Sequence, residues 1–140
     1  MEKGISRSRL DADCAQRMLS LRRDLGVSSF GLNQMVLEPG QRGRIHRHAR
    51  QEEVYLVIAG RLNVEVEQED HELGPGELMR VAPDLRRQLA NRGSEWVVLV
   101  ALGGAGEHEG RDGEAFSDWE QTRGASPQEV PLPEDLDLRR

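Results

Sequence analysis

Apolar side chains in this chain come in short runs rich in β-branched residues, and a turn signal follows each run at intervals of eight to twelve positions. The runs cover 30–37, 54–59, 62–66, 78–81 and 96–102. Between them lie Glu38-Pro39-Gly40, Ala59-Gly60-Arg61, Gly74-Pro75-Gly76, Ala82-Pro83-Asp84 and Asn91-Arg92-Gly93. That spacing predicts an all-β sandwich or barrel. Leu62, Val64 and Val66 alternate with Asn63, Glu65 and Glu67, as in a strand with one buried and one wet face. The 54–59 run is apolar on both faces. Val54, Leu56 and Ile58 therefore form an outer stripe opposite Glu53, Tyr55 and Val57, and a homodimer is the expected way to cover it, helped by the N-terminal segment.

One domain is expected for 140 residues. The division is an N-terminal arm at 1–29, a barrel at 30–104 and an acidic C-terminal extension at 105–140, partly flexible. The formal net charge is −6. Residues 1–106 hold fifteen acids and fifteen bases, so the whole excess sits in the last quarter. An acidic balance without a basic face argues against a nucleic-acid partner. No apolar run reaches membrane-spanning length and the N-terminus lacks an apolar signal core, so a cytoplasmic protein is expected. Cys14 is the single cysteine, which rules out an intrachain disulfide and a Cys-based zinc cluster; it reads as a small buried side chain. In the extension, 114–121 reads as one or two helical turns with Phe116 and Trp119 on one side, plugging the barrel or an interface. Residues 122–140, with Pro127, Pro131 and Pro133 among acids, read as a mobile or extended tail.

The chemistry concentrates in 40–60. His46 and His48 are two apart, so on a strand both rings face one side, about 7 Å apart at the backbone. Glu53 follows after a short connection and can close the site from the neighbouring strand. Two histidines and a carboxylate form a facial set suited to Fe, with Mn, Ni or Zn also accommodated.

Gly40, His46, His48, Glu53 and Gly60 fall in register with the first motif of the cupin family, which this segment resembles. Five fixed positions over twenty-one residues make the match specific. Leu73-Gly74-Pro75-Gly76-Glu77 is similar to the family's Pro-Gly-Asp/Glu turn, and Val81-Ala82-Pro83 to the strand before its second motif. The resemblance covers about 30–102. It implies a double-stranded β-helix, or jelly-roll barrel, here followed by a short C-terminal helical turn and tail.

The second motif departs from the family at its metal-ligand histidine. Asp84, Arg87 and Asn91 stand where a glycine, that histidine and an asparagine are expected. A guanidinium offers no lone pair, so Arg87 cannot be a ligand. It shares a face with Leu85 and Leu89 and is expected to point inward, where it needs a partner: Glu53, or an anionic ligand. Tyr55 has the parity of Glu53 and can line the cavity. Arg44 has the parity of His46 and can reach the cavity mouth. Arg87, Tyr55 and Arg44 are thus the candidate ligand-binding residues, and His46, His48 and Glu53 the candidate metal ligands. His71 and His108 lie in acidic, turn-rich contexts and read as exposed.

Three functions compete. A binding module would hold a small anionic molecule in the barrel, with or without a divalent metal. A metal-dependent dioxygenase or isomerase would act on a small organic acid or sugar derivative. A metal-free epimerase or isomerase would need an acid and a base, for which His46 or His48 and Tyr55 are available. The sequence contains no helix-turn-helix pattern beside the barrel.

Overall fold

A computed structural model describes residues 4–14, 16–104 and 112–138. The chain forms β1 (Met18–Ser20), α1 (Leu21–Leu25), β2 (Gly31–Leu37), β3 (Ile45–His48), β4 (Glu52–Ala59), β5 (Leu62–Val66), β6 (Glu69–Leu73), β7 (Leu78–Val81), β8 (Arg87–Ala90), β9 (Val97–Gly104) and β10 (Gly113–Phe116). Two antiparallel five-stranded sheets result, in the orders β1-β2-β9-β4-β7 and β10-β3-β8-β5-β6.

Alternation sorts side chains between the sheets and the outside. Leu37, Tyr55, Val57, Leu62, Val64, Val97 and Leu99 are at most 1% exposed and form the centre of the core. On the outer face of the first sheet, Val54 and Leu56 are half-buried, while Ile58 and Leu78 are exposed. The N-terminal segment packs on the β2 side of that sheet. There the buried Gln34 amide donates to the Asp11 carbonyl and accepts from the Asp11 N–H.

Two motif residues have structural roles. Gly60 sits at φ 78°, and a Cβ there would lie 2.4 Å from the Trp96 carbonyl oxygen, so only glycine fits. Asn91 is fully buried; its amide donates to the Leu37 and Glu95 carbonyls, and its oxygen accepts from the Gly93 N–H. It locks the turn that joins the two sheets at that end.

The extension differs from its expected form. Residues 113–116 are strand β10, paired antiparallel with β3, rather than the start of a helix. Phe116 is buried there between the guanidinium groups of Arg47 and Arg86, 5.2 and 5.7 Å from its ring centre. Strand pairing and these contacts outweigh the helical spacing of Phe116 and Trp119, and Trp119 is half-buried. The helical turn near the C-terminus is a 3-10 turn at Pro127–Glu129. The chain then runs extended along the barrel: Val130 is buried, and Leu136 N–H donates to the Gly40 carbonyl. Cys14 is half-buried. His71 is half-buried rather than exposed, because β6 pairs it with inward-facing Val64. His108 lies outside the described residues. Among the described residues no helix is long and apolar enough to cross a membrane.

Candidate metal and ligand site

Three strands converge at one end of the barrel. Strand β3 carries His46 and His48 on its inward face, β4 brings Glu53 and Tyr55, and β8 brings Arg87, whose cross-strand partner is His46. The rings of His46 and His48 meet edge to face, with centres 5.3 Å apart.

Glu53 Oε1 is the focus of the group. Tyr55 hydroxyl donates to it at 2.6 Å, and His46 Nε2, His48 Nε2 and Arg87 Nη2 each stand 3.3 Å away. His48 Nε2 and Arg87 Nη2 are buried there without the alignment of a hydrogen bond. Arg87 is fully buried, and its other nitrogens are used: Nη1 donates to the Pro83 and Leu85 carbonyls and Nε to the Tyr55 hydroxyl. Arg87 thus faces Glu53 from the position of the family's missing histidine, bound to the framework on its far side.

The electrostatics follow from this packing. Burial pushes the Glu53 carboxyl up, but the close contacts and charges of His46 and His48 outweigh it and hold it well below the usual carboxylate range. Burial, reinforced by the negative charge of Glu53, pushes the Tyr55 hydroxyl well above its ordinary value. Tyr55 therefore stays a neutral donor and Glu53 an ionised acceptor.

The ring nitrogens bear on whether a cation fits. His46 Nδ1 is 3.2 Å from the Arg44 carbonyl, which can only accept, so Nδ1 carries a proton. In the neutral ring the Nε2 lone pair then faces Glu53 Oε1. Two electron-rich atoms at 3.3 Å repel unless a positive charge lies with them, either a proton or a metal ion. His46, His48 and Glu53 each offer one ligand atom, all within 4.8 Å of one another, and form a cluster able to hold a metal ion. The two-nitrogen, one-oxygen set suits a divalent transition metal with bonds of roughly 2.0–2.2 Å. The residues present fit such an ion, with Arg87 as an opposing charge.

Arg44 is placed differently from the core of the group. Its Nε donates to the Val130 carbonyl at 2.5 Å, which ties β3 to the C-terminal segment. One residue beside the site carries no local sequence signal: Asp112, whose Oδ2 lies 3.9 Å from His48 Nδ1. It is separated from the histidines by most of the barrel, and only the pairing of β10 with β3 brings it there.

The fold and this motif place the chain in a known class. The cupin domain family model matches residues 33–103, and the chain belongs to that family. Among solved structures, a sugar phosphate isomerase of the cupin superfamily from Silicibacter pomeroyi is 27% identical, with a TM-score of 0.63 over 72% of this chain. This chain covers only 65% of that longer one. A cupin protein from Bacteroides fragilis is 23% identical with a TM-score of 0.64, covering 79% of this chain and 92% of its own. A cupin 2 conserved barrel domain protein from Salinispora arenicola is 23% identical with a TM-score of 0.57, covering 74% of this chain and 88% of its own. No curated protein matches the chain.

Proposed function

We propose that this cupin binds a small anionic molecule at the mouth of its barrel, beside a divalent metal ion held by His46, His48 and Glu53. One observation supports both parts: two imidazole nitrogens and a guanidinium surround a single carboxylate oxygen at 3.3 Å. A bound divalent ion would supply Lewis acidity toward an oxygen of the ligand. The chain's own groups do the rest. Arg87 adds a fixed, buried positive charge behind Glu53 that favours an anion near the site. Tyr55 keeps Glu53 oriented through its hydroxyl. His46 and His48 present Nε2 to the same point.

Metal analysis of tag-free protein, followed by calorimetric titration with Mn or Zn and then inorganic phosphate, tests the reading. One metal per chain and phosphate binding that weakens in Arg87→Met are expected. A protein that takes up neither metal nor phosphate refutes it.

A second reading is favoured by the likeness to the Silicibacter protein, whose name describes a sugar phosphate isomerase. In that reading the anion is a sugar phosphate and the site interconverts an aldose and a ketose form. Proton NMR of the Mn-loaded protein with aldose and ketose phosphates checks this; no interconversion sinks it. The apolar outer stripe of Val54, Leu56 and Ile58, with Leu78 beside it, is the surface we assign to a homodimer. The protein is taken to act in the cytoplasm.

A further inference from the structure

His48 and Glu53 stand on consecutive strands joined by residues 49–51, so their mutual geometry depends on what holds that connection. One residue outside the family-matched region holds it. Asp112 Oδ2 accepts from the Arg50 and Gln51 N–H groups, both at 2.8 Å, and the Asp112 carbonyl accepts from the Ala49 N–H at 3.1 Å. Gly113, the next residue, pairs directly with His48 across β10 and β3. The Asp112 side chain is only 3% exposed despite its charge. Burial pushes its carboxyl up, and the two backbone N–H groups hold it below its ordinary value.

The same oxygen that clamps the connection also faces a ring nitrogen. His48 Nδ1 lies 3.9 Å from Asp112 Oδ2, and neither His48 nitrogen has an aligned hydrogen-bond partner. The tautomer of His48 is therefore decided by charge. Without a cation, Glu53 at 3.3 Å from Nε2 and Asp112 at 3.9 Å from Nδ1 compete for the ring proton; with a cation between Nε2 and Glu53 Oε1 the proton is left to Nδ1, where the Asp112 carboxylate attracts it. His46 reaches the same state by another route, through the Arg44 carbonyl.

We infer that Asp112 is a positioning residue of the metal site, holding the connection between His48 and Glu53 and favouring the His48 tautomer that points the Nε2 lone pair at the metal. The inference rests on the metal reading proposed above and deepens it: the C-terminal extension is then part of the site.

Two variants separate the clamp from the charge. Asp112→Asn keeps a side-chain oxygen for the N–H groups of Arg50 and Gln51 and loses the charge facing His48; Asp112→Ala loses both. Each is titrated with Zn and Mn by calorimetry and melted in the metal-free state. Ring-nitrogen NMR of the metal-free protein reports the His48 tautomer, which a merely structural role would not move. Asp112→Asn is expected to melt close to wild type, to bind metal about 10–100-fold more weakly, and to shift the His48 proton from Nδ1 toward Nε2. Asp112→Ala should show the same losses together with a lower melting temperature. If Asp112→Asn keeps both wild-type metal affinity and the wild-type tautomer, the inference is overturned, whether or not Asp112→Ala folds. If wild type binds no metal, the metal reading fails by itself. The tautomer measurement then still decides whether Asp112 orients His48: a change in Asp112→Asn supports the orienting role, and an identical tautomer overturns it.

Discussion

Replacing Arg87 with methionine removes a buried positive charge while keeping a long side chain in its place. In the wild type, Nη2 is 3.3 Å from Glu53 Oε1. At an effective dielectric of about 20, such a pair attracts by roughly 5 kcal/mol. Some of that is recovered in the variant, because Tyr55 still donates to Glu53 at 2.6 Å. Pro83 is half-buried and Leu85 exposed, so the carbonyls released by Nη1 have a route to water. Breaking one side of a buried ion pair costs about 3–5 kcal/mol, so a net loss toward the lower end is expected. For a chain of this length that is a fall of roughly 10 °C in melting temperature. Metal affinity should move the other way. A divalent ion at His46, His48 and Glu53 would sit within a few ångströms of the guanidinium, and removing that repulsion should tighten binding at least tenfold, about 1.4 kcal/mol. Chelator-treated protein is unfolded in urea for the first quantity and titrated with Mn or Zn by calorimetry for the second. A variant as stable as wild type would show that the pair contributes nothing. A loss of stability with unchanged or weaker metal binding would show that Arg87 does not oppose the ion.

Three other expectations follow from the same structure. Light scattering should give a dimer at micromolar concentration, and Ile58→Glu or Leu78→Glu should yield monomers that remain folded; a wild-type monomer would leave the stripe without its assigned partner. Gly60→Ala should cost at least about 2 kcal/mol, since the added Cβ meets the Trp96 carbonyl at 2.4 Å and φ is 78°; a denaturation midpoint equal to wild type would contradict this. Stability should fall on acidification. The Glu67 carboxyl is lowered mainly by its hydrogen bond from Arg86, and that of Glu114 mainly by the Gly124 N–H and then by Arg47. Groups lowered in the folded state stabilise it above their unfolded values, and that contribution is lost as pH falls through the folded ones. The urea midpoint should therefore drop as the pH falls below about 5, and less so in Glu67→Gln with Glu114→Gln; an equal drop in both proteins would locate the effect elsewhere.

Local pattern was informative wherever a residue's role depends on its own strand. Alternation along 62–66 and 53–57 separated inward from outward side chains, because a half-buried strand imposes a period of two. The spacing from Gly40 to Gly60 identified the histidines and Glu53 together, and parity alone turned Arg87 inward. Roles set by a distant partner were not readable. Phe116 and Trp119 have helical spacing, yet pairing with β3 makes 113–116 a strand. Arg44 has the parity of His46, but the Val130 carbonyl takes its guanidinium. His71 sits among acids in sequence, while its pairing with Val64 turns it inward. Asp112 has no motif around it; only tertiary structure puts it beside His48.

The strand order also governs how the protein must be made. β9, the middle strand of the first sheet, lies between β2 and β4, and Gly31 at the start of β2 pairs with Gly103 at the end of β9. A chain emerging from the ribosome therefore presents His46, His48 and Glu53 well before β9 exists to receive β2 and β4, and before β10 exists to cover β3. Until then those strands carry open edges and apolar faces, the features that lead nascent β proteins to associate. A fragment stopped after residue 104 would still leave β3 without β10, the strand that pairs with both of its histidines. Synthesis must run through β10 before the three candidate ligands gain their full framework.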